Sequence, residues 1–171
     1  MIEQVPQELL PHYYDVIKEI YREAFDYSTE QADFLQVRME QSDNPIVLAV
    51  RHNGVVVGFL FGFDFKPENW WAQQLARSLT AEQLAPFYEE AFELNELAVS
   101  PRYQAHGYGT MLMQHLFELC AERDILLGTK LENNDHVIRF YRQLNFEDLV
   151  NPFYYENNMY GPSLILCRYA K

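Results

Sequence analysis

A glycine-bearing turn at residues 104–110 is the part of the chain whose residue types most clearly indicate chemistry. It reads Gln-Ala-His-Gly-Tyr-Gly-Thr and lies between an apolar segment and a helical pattern of apolar residues. Glycines lack a Cβ atom, so backbone N–H groups can crowd around an anion there. A helix that begins at the same point adds unpaired N–H donors and about half a positive charge. The turn therefore predicts a pyrophosphate site.

Two other phosphate-binding motifs do not fit this turn. The Gly-Lys-Ser/Thr ending of a Walker loop is absent, and so are the third glycine and the spaced ribose acid of a dinucleotide-binding motif. A tight turn without any ligand is the alternative interpretation.

Two motifs together resemble the GNAT N-acetyltransferase superfamily. The Gln-x-x-Gly-x-Gly pattern of residues 104–109, after a strand that ends in Ala-Val, resembles the acyl-CoA-binding motif of that superfamily. The run 134–146, with an Asn, a Phe-Tyr pair and a final Phe, resembles its second motif. The chain departs from the usual pattern at Ala105 and His106, neither of which removes a backbone donor, and at Val137 and Asn145.

The resemblance implies acetyl-CoA as the cosubstrate and no metal. Backbone groups of Leu97 and Val99 would pair with the pantetheine arm as though it were a short strand, and Asn134 would contact the same arm. The Thr110 hydroxyl would hold the pyrophosphate together with backbone N–H groups of the turn, which are those of Gln104, Ala105, His106, Gly107, Tyr108 and Gly109.

Tyr141, in the second motif, is the predicted general acid. Attack on a thioester expels a thiolate, whose ordinary pKa is about 8.5. A phenol with an ordinary pKa of about 10 can protonate it and yet stay neutral until then. The alternative interpretation is that Tyr141 is one of 12 tyrosines and simply packs on an apolar helix stripe.

The predicted general base is a carboxylate of the strand before the turn, because an amine acceptor is protonated at neutral pH and must lose a proton before it attacks. Strand alternation places Glu93 and Asn95 on the face assigned to the cofactor, and Glu96 on the other face. Glu93 also matches a base position of some family members. Glu96 is the rival, because a bulge would exchange the faces. Either carboxylate could instead be an ordinary solvated or salt-bridged residue of the strand, and Asn95 could orient a water.

The predicted function is acetyl transfer from acetyl-CoA to a primary amine of a small cationic substrate or a peptide, by direct attack in a ternary complex. The main alternative is a non-catalytic acyl-CoA-binding sensor or regulatory module, and a third is a nucleotide-binding protein that uses the same turn. The sequence leaves open the acceptor amine and the preferred length of the acyl chain.

Charge and composition favour such a protein over a nucleic-acid binder. The net charge of −12 gives no basic face for phosphates. The acidic excess is concentrated before the turn, because residues 1–95 carry 16 acidic and 6 basic side chains and residues 96–171 carry 9 and 7. That negative field suits a cationic acceptor.

The cellular setting is predicted to be the cytoplasm, with no membrane association. No apolar run reaches the ~18 residues of a membrane helix, and the first residues lack a signal-peptide pattern. Cys120 and Cys167 lie among apolar residues without metal-ligand spacing, which predicts buried thiols. The resemblance is also compatible with a homodimer.

The predicted elements place the candidate residues on a mixed α+β fold. An Asn-Gly pair at 53–54 between two apolar runs predicts an antiparallel hairpin, and Ser28 with Gln31 and Thr80 with Gln83 read as helix capping boxes. The expected order is two helices, the hairpin, a helical insert at 66–90, and then β-α-β-α-β-β. We expect a single GNAT-like acyltransferase domain over 1–171. Its central, mostly antiparallel sheet would contain one parallel, splayed strand pair and be flanked by helices.

Overall fold

A computed structural model describes every residue of the chain, 1–171. Seven strands and six helices follow one another in this order: β1 (Ile2–Gln4), α1 (Tyr14–Phe25), α2 (Thr29–Gln41), β2 (Ile46–His52), β3 (Val55–Asp64), α3 (Trp70–Leu75), α4 (Ala81–Glu90), β4 (Phe92–Val99), α5 (Tyr108–Leu119), β5 (Ile125–Lys130), α6 (Asp135–Gln143), β6 (Glu147–Phe153) and β7 (Ser163–Arg168). Short 3-10 helices occur at Gln7–His12, Pro101–Tyr103 and Glu156–Asn158.

The strand order is β1-β2-β3-β4-β5-β7-β6. The pairs β1–β2, β2–β3, β5–β7 and β6–β7 are antiparallel, whereas β4–β5 is parallel. That parallel ladder contains only two residue pairs, Phe92 with Ile125 and Glu93 with Leu126. A mostly antiparallel mixed sheet with one short parallel pair confirms the predicted fold class.

The chain forms two compact units with separate apolar cores. The first contains Met1–Asp64 and Leu94–Leu119, and the second contains Phe65–Glu93 and Cys120–Lys171. In the first unit, α1 and α5 both pack against β3, and the core includes Ile17, Leu35, Met39, Phe59 and Phe61. The second core is rich in aromatic rings and includes Phe65, Trp71, Leu84, Phe87 and Phe153.

The hairpin between β2 and β3 forms as predicted. Asn53 and Gly54 both have positive φ, 49° and 84°, which a tight two-residue hairpin turn requires. The register shifts between Val50 and Arg51, which leaves an extra residue on β3 beside Gly58. A Cβ at Gly58 would lie 3.0 Å from the Ala98 carbonyl oxygen, so a larger residue would push the β4 backbone away.

Both predicted capping boxes are present. The hydroxyl groups of Ser28 and Thr80 accept hydrogen bonds from backbone N–H groups three residues later, and the glutamine side chains there accept from the cap N–H groups in return. These bonds satisfy N–H groups that a helix start leaves without an intrahelical partner.

The first of the two predicted helices has an irregular start. A 3-10 helix that contains Pro11 precedes α1, and the α-helix begins only at Tyr14. Proline has no N–H group and disfavours the α conformation in the residue before it, which explains the later start. The strand β1 was not predicted, because three residues are too few to show an alternation.

None of the six helices has both the length and the apolar character that a membrane span requires.

Candidate active site

The turn before α5 has the backbone shape of an anion cradle. Ala105 and Gly107 have φ values of 62° and 83°, so the chain enters the left-handed region twice within three residues. The Met111 N–H group donates to the Gly107 carbonyl oxygen over 3.0 Å. The N–H groups of Tyr108, Gly109 and Thr110 therefore lie ahead of this i→i−4 bond, at the end of the helix that attracts anions.

The space beside Gly107 is open. A Cβ added there would meet no atom within 4 Å, so no neighbouring side chain or backbone fills the position. The glycine is required by its positive φ, and its missing side chain also leaves the adjacent amides accessible. These residues fit the pyrophosphate of CoA.

Side chains of the turn bind back to the protein. Gln104 donates through its Nε2 to the Val99 carbonyl oxygen over 3.0 Å. His106 Nδ1 lies 2.7 Å from the Gln104 carbonyl oxygen, and the Tyr108 hydroxyl lies within hydrogen-bond distance of His52 Nδ1. These contacts anchor the side chains of the turn to the protein.

The end of β4 is held in the first unit as well. The Ser100 N–H group donates to the Val57 carbonyl oxygen over 2.8 Å, and the Ser100 hydroxyl lies 3.2 Å from Glu23 Oε2. Leu97 and Val99 are half-buried residues of the same strand. The Val99 carbonyl, which the resemblance assigned to the pantetheine arm, already accepts the Gln104 amide, although its second lone pair is not required for that bond.

Glu96, further back along β4, lies in a polar cluster of the first unit. The Tyr21 hydroxyl of α1 donates to Glu96 Oε1 over 3.2 Å, and Arg38 Nη2 of α2 lies 3.4 Å from the same oxygen. Arg38 Nη1 donates to Asn95 Oδ1 over 2.8 Å. The side chain of Glu96 retains 17% exposure.

Burial raises the pKa of the Glu96 carboxyl above its ordinary value, although the Arg38 charge and the hydrogen bonds from Tyr21 and Arg38 act in the opposite direction. Burial and the nearby Glu96 charge also raise the pKa of Tyr21, which therefore stays a hydroxyl donor at neutral pH. A carboxylate whose pKa moves toward neutrality is better matched to accepting a proton.

One arginine contacts two neighbouring residues of β4, Asn95 and Glu96. Neighbouring residues of a regular strand point to opposite faces, yet one guanidinium, that of Arg38, contacts both side chains. The Arg38 contacts therefore join two side chains that the alternation assigned to different faces.

Glu93, the other candidate base, lies in the second unit and is 3% exposed. Burial raises the pKa of Tyr155 to about 12 against the effect of a hydrogen bond from Trp71, and Tyr160 and the Glu93 charge add to the increase. The Tyr155 hydroxyl accepts a hydrogen bond of 2.9 Å from Trp71 Nε1. Glu93 therefore lies near a buried aromatic pair, in surroundings unlike those of Glu96.

Asn134 occupies the N-cap position of α6, but its side chain does not cap the helix. Its Nδ2 donates instead to Thr129 Oγ1 over 2.8 Å and to the Lys130 carbonyl oxygen over 2.9 Å. The end of β5 thus supplies the acceptors of this amide, which the sequence pattern does not show. These bonds hold the amide group in a fixed orientation.

Tyr141 lies on the inner side of α6 in the second unit and is 9% exposed. Its ring makes edge-to-face contacts with Phe140 and Phe146, with centroid distances of 5.1 Å and 5.5 Å. Asn145 follows the helix with a φ of 66°, the left-handed conformation that asparagine tolerates. Packing fixes the position of the phenol ring.

No group of three or more His, Cys, Asp or Glu side chains is placed to hold a metal ion. Both cysteines are buried and neither forms a disulfide, as their apolar sequence context predicted.

Family comparison gives the decisive observation. The model of the acetyltransferase (GNAT) family matches residues 13–146 of the chain, including the glycine turn and the second motif. The chain belongs to the GNAT family. This membership confirms the resemblance that the two motifs indicated.

A GCN5-like protein acetyltransferase of Mycobacterium tuberculosis is 30% identical to the chain over 110 residues. The match covers 60% of the chain and 53% of that relative, so the chain spans about half the length of the curated relative it matches.

Solved GNAT structures share the fold over almost the whole chain. An aminoglycoside 6'-N-acetyltransferase complexed with coenzyme A has a TM-score of 0.69 at 18% identity, covering 98% of this chain and 96% of its own. A histone acetyltransferase HPA2 and related acetyltransferase from Corynebacterium glutamicum has a TM-score of 0.73 at 15% identity, covering 100% and 96%. At these identities the likeness shows a common fold.

Proposed function

We propose that the chain works as one acyltransferase domain over 1–171, with 66–90 as a helical insert, and that it acetylates a primary amine of a small cationic substrate or a peptide. The observation that carries this proposal is the turn 104–110 with its positive φ angles, open glycine position and helix-start donors. Family membership supplies the cosubstrate, and acetyl-CoA, when bound, provides the acetyl thioester.

The residues that would hold the cosubstrate are those implied by the motifs. Backbone N–H groups of 104–109 and the Thr110 hydroxyl would bind the pyrophosphate, because they lie at a helix start. Backbone groups of Leu97 and Val99 would pair with the pantetheine arm, and Asn134 would contact it.

Glu96 is the base that the cluster around it supports best. Its side chain keeps 17% exposure, its carboxyl has a raised pKa, and two donors fix one of its oxygens. It would take the proton of the acceptor ammonium. Glu93 is the alternative base, and its near-complete burial beside Tyr155 speaks against direct contact with a large acceptor.

Tyr141 would donate its hydroxyl proton to the leaving sulfur. Tight packing of its ring supports this role, because a fixed donor loses little freedom in the transition state.

A cationic acceptor is favoured by the charge distribution. Residues 1–95 contain α1 and α2 and carry 16 acidic against 6 basic side chains. A negative field of this kind raises the local concentration of cations. One fold neighbour, the aminoglycoside 6'-N-acetyltransferase, is named for such an acceptor.

The direct test is CoA release from acetyl-CoA in the presence of a panel of amines. We expect Glu96→Gln to lower kcat/KM for the best amine by roughly 10²- to 10⁴-fold, the usual contribution of a general base, while CoA affinity stays unchanged. Glu93→Gln is the matched variant on the same strand and tests the alternative base. If CoA binds but no amine accelerates its release, the chain is a sensor module and the transfer proposal is wrong.

A further inference from the structure

Arg38, near the end of α2, contacts two consecutive residues of β4. One amino group of its guanidinium, Nη1, donates to Asn95 Oδ1 over 2.8 Å. The other, Nη2, lies 3.4 Å from Glu96 Oε1 and 3.4 Å from the Tyr21 hydroxyl oxygen. No sequence motif points to Arg38, which is 58 residues from Glu96.

The contacts divide the two oxygens of the Glu96 carboxylate. Tyr21 and Arg38 both bind Oε1, and neither reaches Oε2. A carboxylate oxygen that already accepts two hydrogen bonds is a poor site for another proton, because protonation would disrupt these bonds. Oε2 is therefore the oxygen that is placed to accept a proton from the substrate.

We propose, resting on the assignment of Glu96 as the base, that Arg38 is a positioning residue for acetyl transfer, which with Tyr21 occupies Oε1 and keeps the carboxylate ionised so that Oε2 takes the amine proton. In that step an N–H bond of the substrate ammonium breaks and an O–H bond to Oε2 forms. The electron pair stays on nitrogen, which becomes the neutral nucleophile, and Glu96 becomes neutral.

Electrostatics support this role. The groups that face Glu96 are Tyr21 from α1 and Arg38 from α2, with neutral Asn95 beside it on β4 and Tyr27 behind Tyr21. Arg38 is the one charged group among them. Burial raises the pKa of Glu96, and Arg38 opposes this effect through its charge and through a hydrogen bond. Without Arg38, the carboxyl would stay protonated to a higher pH.

Asn95 explains how the guanidinium is held in place. Its Oδ1 accepts the shortest of the Arg38 hydrogen bonds, and the planar guanidinium then directs Nη2 to Glu96. A lysine at this position would keep the charge but could not bind both residues in the same fork geometry. Substitution of Arg38 can therefore separate the effect of its charge from the effect of the guanidinium orientation.

The experiment measures kcat/KM for one amine acceptor against pH, at saturating acetyl-CoA, in the wild type and in Arg38→Gln, Arg38→Lys, Tyr21→Phe and Glu96→Gln. In Arg38→Gln we expect the acidic limb of the profile to shift to higher pH by about one unit or more, which is the usual effect of losing a neighbouring opposite charge. Activity on that limb then falls about tenfold and recovers at higher pH. Arg38→Lys keeps the positive charge and should return the acidic limb most of the way to its wild-type pH. The titration of the acceptor amine is the same for all variants, so it does not contribute to these differences.

Two results separate the inference from the function on which it rests. If Glu96→Gln removes activity but Arg38→Gln lowers the rate equally at every pH, Arg38 has only a structural role and the inference is wrong. If Glu96→Gln keeps both rate and acidic limb, the base assignment itself fails. Should Arg38→Gln not fold, Asn95→Leu removes the guanidinium anchor and keeps the charge. It should lower the rate with a smaller limb shift, and an unchanged rate overturns the inference.

Discussion

Substitution of Gly107 by alanine isolates the anion cradle, because the chain contains a matched control. Gly107 and Gly54 have φ values of 83° and 84°, and a Cβ at either position meets no atom within 4 Å. An alanine forced into the left-handed region costs about 1–2 kcal/mol. Gly107→Ala and Gly54→Ala should therefore lower the free energy of unfolding by similar amounts.

The two variants should differ in CoA affinity. At Gly107 the new methyl group occupies the open space beside the helix-start amides, whereas Gly54 lies in the β2–β3 turn. Displacing the pyrophosphate from one charge-assisted hydrogen bond costs about 1.5–3 kcal/mol. Since 1.4 kcal/mol corresponds to a tenfold change in Kd, Gly107→Ala should weaken CoA binding by about tenfold or more.

Isothermal titration with CoA and thermal unfolding of both variants measure these effects. We expect equal losses of stability and a loss of affinity in Gly107→Ala alone. Wild-type affinity in folded Gly107→Ala would show that the pyrophosphate does not bind at this turn. An equal loss of affinity in Gly54→Ala would show that backbone strain, rather than the occupied space, weakens binding.

Three further substitutions test the second unit. Tyr141→Phe keeps the edge-to-face ring contacts, so we expect nearly unchanged stability and CoA affinity but roughly 10²-fold slower turnover or worse; an unchanged rate removes the acid role. Tyr155→Phe deprives the buried Trp71 Nε1–H of its acceptor and should cost about 1–3 kcal/mol in denaturant unfolding; a loss of only a few tenths would mean that another acceptor replaces the hydroxyl. Burial tends to raise the pKa of Asp148, but hydrogen bonds from Arg142 and Asn151 and the Arg142 charge outweigh it, so its pKa is lowered. Its stabilising effect is therefore present above the unfolded pKa and is lost as pH falls through the folded one. Because the pair is partly exposed, Asp148→Asn should cost less than about 1 kcal/mol at pH 7 and nothing at the acid end; equal losses at both would contradict this linkage.

Local signals allowed most of the elements to be predicted. An Asn-Gly pair such as Asn53-Gly54 strongly favours a tight hairpin turn, and each capping box joins residues that are three apart. Residues that are close in sequence therefore determine both structures. The turn 104–110 belongs to the same class, because glycines and a helix start act over a few residues.

The polar cluster around Glu96 was not predictable in this way. Tyr21 and Arg38 are 75 and 58 residues from Glu96, and each lies in a helix whose periodicity only indicates which side is apolar. Strand alternation even separates Asn95 from Glu96, whereas Arg38 contacts both. Asn134 shows the same limit, because its amide bonds to the end of β5 rather than to its own helix. Hydrogen bonds between residues that are far apart in sequence cannot be predicted from residue spacing.

The position of the two tryptophans determines what the intrinsic fluorescence of this protein reports. Trp70 and Trp71 are neighbours on α3, and both belong to the second unit. One indole is half exposed and stacks on Tyr155, while the other is buried and donates to the same phenol, so their emission should differ in wavelength. The first unit, which holds the turn 104–110, contains no such fluorophore. A tryptophan introduced there, for example at the exposed Phe34, would place an indole reporter in that unit.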